Sequence, residues 1–126
     1  MKPTRPQIAI VDDEDSVRKA LERLLRSAGM EVETFASGAD FLAGVQSRRI
    51  DCVVLDLHMP KMSGFEVQLQ LARLDNSVAM VVITGHDTPE SRARALAGGA
   101  AAYLLKPIDE QVLLDAISAA ISKPDG

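Results

Sequence analysis

Five short apolar runs alternating with five amphipathic segments predict an α/β domain, a parallel five-stranded sheet with helices on both faces. Two patterns carry this expectation. Residues 78–83 are six consecutive apolar residues, the pattern of a strand covered on both sides, and residues 50–55 are apolar apart from Asp51. Val17, Ala20, Leu21, Leu24, Leu25 and Ala28 fall on one helical stripe closed by Gly29. At 126 residues and 47% hydrophobic content the chain suits one domain with a sizeable core. Residues 1–126 are read as that single domain, with 1–6 a loose leader and 123–126 a chain end or the start of a linker.

Taken in order, residues 7–11 form a short apolar strand ending in the acidic run Asp12, Asp13, Glu14 and Asp15. The striped helix follows. Residues 31–35 alternate in polarity as an edge strand does, and Ser37 is placed to cap a helix carrying Phe41, Leu42 and Val45. The central strand ends at Asp56, and Pro60 and Gly64 shape a loop. Phe65, Val67, Leu69 and Leu71 alternate as a strand would, while Phe65, Leu69 and Ala72 fit a helix. Helix is the expectation, because parallel neighbours need a crossover. The run 78–83 ends in Thr84, Gly85 and His86. Thr88 and Pro89 open a helix that stops at Gly98 and Gly99. Residues 101–105 are the last strand, ending in Lys106 and Pro107, and Asp109 opens a final helix carrying Leu113, Ala116, Ile117, Ala120 and Ile121.

Composition narrows the function classes. The net charge of −4 and the scattering of Arg18, Lys19, Arg23 and Arg26 argue against direct nucleic-acid binding. No window approaches a membrane span, and no signal-type apolar core follows the N-terminus, so a cytoplasmic protein is expected. The single cysteine, Cys52, lies in an apolar strand and reads as a small buried hydrophobe.

Function is expected where the strands end. In a doubly wound parallel sheet all carboxyl ends share one edge, and ligands bind where strand order reverses. For a flavodoxin-like (βα)5 three-layer sandwich of order 2-1-3-4-5, that crevice lies between the first and third strands. Asp12, Asp13, Asp56, Thr84 and Lys106 should converge there. Three clustered carboxylates must either raise a pKa or hold a cation, and oxygen ligands without a Cys or His cage favour Mg²⁺. A carboxylate nucleophile, a metal, an ammonium and a hydroxyl are together suited to phosphoryl transfer.

The motifs VDDED, LDLHMPKMSG, ITGH and YLLKP, in this order and spacing, resemble the response-regulator receiver domain of two-component signalling across residues 8 to about 122. ITGH and the opening VDDED-SVRKAL further resemble the FixJ-type branch. The resemblance implies Asp56 as phosphoacceptor, with Asp13 a direct Mg²⁺ ligand, Asp12 a ligand largely through water and the His58 backbone carbonyl another. It implies Lys106 as the phosphoryl-binding lysine, a cis peptide at Lys106-Pro107, and Thr84 with Tyr103 as a switch pair. Gly85 and the side chains of His58 and His86 would line the rim and modulate hydrolysis of the acyl phosphate.

The implied partners are a sensor histidine kinase, a second copy on phosphorylation, and a C-terminal helix-turn-helix output domain absent from this chain. Thr84 is expected to be an uncommitted donor that moves toward the phosphoryl group and lets Tyr103 turn inward, reshaping the face of the fourth helix, fifth strand and fifth helix. Two other classes stay open: a haloacid-dehalogenase-like Mg²⁺-dependent phosphohydrolase with its nucleophile on the first strand, and a pseudo-receiver that is never phosphorylated.

Overall fold

The structure is a computed structural model that describes residues 5–74 and 76–122. Of the expected leader, 1–6, only the last two positions are among the described residues, and the expected tail, 123–126, lies outside them. The elements alternate without exception: β1 (Gln7–Val11), α1 (Asp15–Ser27), β2 (Glu31–Phe35), α2 (Gly38–Val45), β3 (Cys52–Asp56), α3 (Gly64–Arg73), β4 (Ala79–Thr84), α4 (Pro89–Ala97), β5 (Ala100–Leu105) and α5 (Glu110–Ser122). All pairings are parallel, in the order β2-β1-β3-β4-β5. The alternating strand, β2, is an edge.

Side-chain alternation along the strands divides the core into layers. Ile8, Ile10, Cys52, Val54, Val81 and Ile83 face Leu21 and Leu25 of α1 and Leu113 and Ile117 of α5. Ala9, Val11, Val53 and Leu55 face Phe41 and Val45 of α2 and Val67 and Leu71 of α3. A third cluster of Leu57, Val82, Ala95 and Tyr103 lies under α4. Cys52 is fully buried, and burial pushes its thiol up to about 12, which fits the inert small hydrophobe expected.

The caps explain the helix boundaries. Ser37 accepts from the Asp40 N–H at 3.1 Å, and Thr88 accepts from the Ser91 N–H at 3.0 Å with Pro89 in the first turn. Gly29 closes α1 at φ +89°, a conformation that costs a residue with a side chain more than glycine. The ambiguous segment is helix α3. Its N-cap, Ser63, accepts from the Glu66 N–H at 3.3 Å.

α4 is held by one buried polar side chain. Of its residues only Ala95 is buried, so its packing is thin. Gln68 of α3, 3% exposed, donates from Nε2 to the Ala95 carbonyl at 2.9 Å. The Gly99 N–H, which would take that carbonyl in a longer helix, bonds to Leu96 instead. Gln68 therefore caps the end of a neighbouring helix. Gln68→Met keeps the volume and leaves a buried carbonyl unpaired, with an expected loss of roughly 1–3 kcal/mol in urea unfolding. Unchanged stability would show that the bond contributes nothing.

Candidate functional site

Strand register delivers the site. Val11 and Leu55 are partners, so Asp12 leaves β1 beside Asp56, the last residue of β3. Thr84 ends β4, and Lys106 directly follows β5. One oxygen from each of Asp12, Asp13 and Asp56 lies within 4.8 Å of the other two. Lys106 Nζ is 2.9 Å from Asp12 Oδ2, 3.3 Å from Glu14 Oε1 and 3.7 Å from Asp56 Oδ1. All five expected residues thus gather at one edge, with Thr84 turned to its own loop.

Asp12 and Asp13 do not cap α1. The N-cap is Glu14, without a side-chain cap bond, and Asp12 Oδ1 accepts from the Glu14 N–H at 2.8 Å. Asp12 is fully buried, and its Oδ2 meets the Lys106 ammonium at ion-pair distance without hydrogen-bond geometry. A buried carboxylate oxygen with no hydrogen bond, beside two further carboxylates, is a donor set that fits a hard divalent cation such as Mg²⁺.

Asp56 is 2% exposed, and its Oδ1 accepts from the His58 N–H at 3.3 Å. Burial, then the Asp12 charge, pushes its carboxyl up to about 7, against the lowering effect of Lys106 and the His58 N–H. Burial would lower the Lys106 ammonium, but Asp12, Asp56 and Glu14 outweigh it and hold it above the usual range. The Lys106-Pro107 peptide is cis.

The loop after β3 is fixed by close backbone approach. A Cβ on Gly64 would meet the Asp56 carbonyl oxygen at 2.5 Å and the Leu57 Cα at 2.8 Å, so only glycine lets α3 begin against the end of β3. Lys61 has φ 70°, in a tight turn closed by a bond from the Met62 N–H to the Pro60 carbonyl at 2.8 Å. A non-glycine residue in that region is uncommon and costs of order 1–3 kcal/mol.

Two expectations about the switch pair need correction. The Thr84 hydroxyl is committed: it donates to the His86 carbonyl at 3.2 Å and accepts the His86 N–H at 3.0 Å. Tyr103 is already inward, 8% exposed against Leu57, Val82 and Ala95. Its hydroxyl donates to Asp87 Oδ1 at 3.0 Å, and the Arg92 guanidinium stands 4.8 Å over its ring. Burial and the Asp87 carboxylate hold the phenol above its usual range.

Three contributors escaped the sequence. Glu14 shares the ammonium of Lys106, and Asp87 and Arg92 hold Tyr103. Glu14 belongs to the acidic run already noted, but its reach to Lys106 is set by tertiary contact alone. A pocket of about 160 Å³ is lined by Glu14, Asp56, His58, Gly85, His86 and Lys106.

A raised Asp56 pKa means that the folded state binds the proton more tightly than the unfolded chain. Its contribution to stability is greatest below about pH 4 and is lost as pH rises toward about 7. In metal-free protein, Asp56→Asn should therefore be more stable than wild type at pH 8 and close to it at pH 5, by urea unfolding. A stability difference independent of pH would contradict the shift.

Comparison with known proteins agrees with this geometry. The sequence profile of the response regulator receiver domain matches residues 8–118. The chain is 38% identical over 120 residues to nodulation protein W of Bradyrhizobium diazoefficiens, covering 95% of this chain and 53% of that protein. It is 40% identical over 114 residues to response regulator protein TodT of Pseudomonas putida, covering 90% of this chain and 50% of that one. The chain thus spans about half the length of the curated relatives it matches. The crystal structure of FixJ-N superposes with a TM-score of 0.90 at 34% identity, over 98% of this chain and 99% of that one. Strand order, the acidic edge and these similarities lead to one conclusion: the chain belongs to the response regulator receiver domain family, the receiver of two-component systems.

Proposed function

We propose that this domain accepts a phosphoryl group on Asp56 from the phosphohistidine of a sensor histidine kinase, with Mg²⁺ required. The observation that carries this reading is the buried Asp56 carboxylate, at the end of β3, with Asp12, Asp13 and Lys106 gathered around it. An Asp56 oxygen would form the new bond to phosphorus as the bond from phosphorus to the histidine nitrogen breaks. Asp12, Asp13, Asp56 and the His58 backbone carbonyl would hold the Mg²⁺, which when bound neutralises charge on the transferring group. Lys106, 3.7 Å from Asp56, would exchange part of its carboxylate contact for a phosphoryl oxygen. Gly85, His58 and His86 form the rim and would set water access to the acyl phosphate.

Phosphorylation adds up to two negative charges and new acceptor oxygens. For Thr84 to donate to one of them, its hydroxyl must leave the His86 carbonyl, so the loop between β4 and α4 is released as the phosphoryl group is bound. Asp87 and Thr88 lie in that loop, and Tyr103 is tied to it through Asp87. The switch then acts by exchange of bonds, and the face of α4, β5 and α5 is where dimerisation or an output domain would read it. The helix-turn-helix output rests on the resemblance to the FixJ-type branch, and a role in transcription is supported by likeness to the transcriptional regulatory protein PrrA of Mycobacterium tuberculosis. Residues 1–126 are taken as one receiver unit acting in the cytoplasm; among the described residues no helix is long and apolar enough to cross a membrane. The domain acts as a signalling phosphoacceptor that assists its own phosphorylation and dephosphorylation. A phosphohydrolase with its nucleophile after β1 is disfavoured because the pocket is lined by Asp56 and by neither Asp12 nor Asp13.

Acetyl phosphate with Mg²⁺ should add one phosphate per chain, suppressed by EDTA and absent in Asp56→Asn. Persistent labelling of that variant would overturn the assignment. Sedimentation with beryllofluoride should show association in wild type and a weakened response in Thr84→Ala. An association state that ignores beryllofluoride removes dimerisation from the reading, and an unaltered response in Thr84→Ala removes the threonine.

A further inference from the structure

We propose that His58 and His86 form a second metal site, a two-imidazole chelate for a transition-metal ion of the Zn²⁺ class, set across the mouth of the phosphoacceptor pocket. They are the only two histidines in the chain, and both line the same pocket from different loops. His58 follows β3 by two residues, and His86 follows β4 by two. Both are exposed, so neither side chain is consumed by core packing.

Their ring centroids are 5.7 Å apart, with planes at 83°. An imidazole nitrogen bound at about 2.0–2.1 Å puts a metal roughly 3.2 Å from its ring centroid, and two such rings on tetrahedral corners stand roughly 5 Å apart. The observed centroid separation is close to that span. Both backbones are anchored: the His58 N–H donates to Asp56, and the N–H and carbonyl of His86 are both bonded to Thr84. The surrounding carboxylates give the mouth a negative potential that draws cations.

Ligand chemistry separates this site from the one below it. Imidazole nitrogen suits Zn²⁺, Ni²⁺ and Cu²⁺, whereas the carboxylates suit Mg²⁺. Cys52, the one thiol in the chain, is buried in the sheet and cannot compete. Water or an oxygen of the pocket's occupant would complete the coordination. A bound ion would tie the β4–α4 loop, whose release the phosphoryl switch requires, to the fixed loop after β3, and would hold the pocket mouth shut against a donor.

Calorimetric titration of the chain with zinc chloride, in excess Mg²⁺, tests the site without reference to phosphorylation. One Zn²⁺ per chain is expected, with the dissociation constant raised by on the order of tenfold or more in His58→Gln and in His86→Gln. The ring-proton resonances of both histidines should shift together as Zn²⁺ is added. Absence of binding, binding unchanged in either variant, or displacement of Zn²⁺ by Mg²⁺ would overturn the proposal, the last by assigning the ion to the carboxylates. Failure here leaves phosphorylation of Asp56 untouched, and failure of that reading leaves the zinc titration interpretable.

Discussion

The contact between Lys106 and Asp12, 2.9 Å long at the buried end of β1, is the interaction on which the site depends. Two carboxylates with almost no exposed surface lie on adjacent strands with a third close by. At an effective dielectric of about 20, each pair of unit charges at this range repels by roughly 3–4 kcal/mol. One ammonium from the strand end two places beyond β3 meets both buried acids and still leaves a net negative cluster. The site is thereby stable enough to fold and unsatisfied enough to take a cation. Burial first, and the Asp12 charge second, raise the Asp56 carboxyl to about 7, so cation binding and ionisation of the acceptor favour each other.

The scaffold divides between rigid and loosely held parts. β1 and β3 are central, buried on both faces, and their ends place the acids. Gly64 lets α3 begin directly against the end of β3, which fixes the loop around Asp56. α4 is different: it buries one alanine, and its ties are the Gln68 cap, the Arg94 guanidinium 4.2 Å over the Phe65 ring and the stack of Arg92 on Tyr103. A helix held by few contacts can change position at small cost, as a two-state element needs.

The strand ends were legible because residue type and periodicity agree there: an apolar run ending in Asp56, Thr84 or Lys106 leaves a polar group with no packing role. α3 was ambiguous by periodicity, yet Ser63 followed three residues later by Glu66 is a helix-start signature that would have decided it. The state of the switch was not legible. Whether Tyr103 is in or out depends on Asp87, Arg92 and the small cluster under α4, all contacts between separate elements. Thr84 looked uncommitted because its partner is the backbone of His86, and backbone groups carry no sequence signal. Gln68 was invisible for the same reason, since its acceptor is the Ala95 carbonyl.

The central claim is that this acidic edge exists to put one phosphoryl group on one carboxylate. The most direct measurement is borohydride reduction of the protein after treatment with acetyl phosphate and Mg²⁺, followed by peptide mass spectrometry to locate the reduced residue. Reduction at position 56 alone is the predicted result. Reduction at Asp12 or Asp13, or none with Mg²⁺ present, would contradict it.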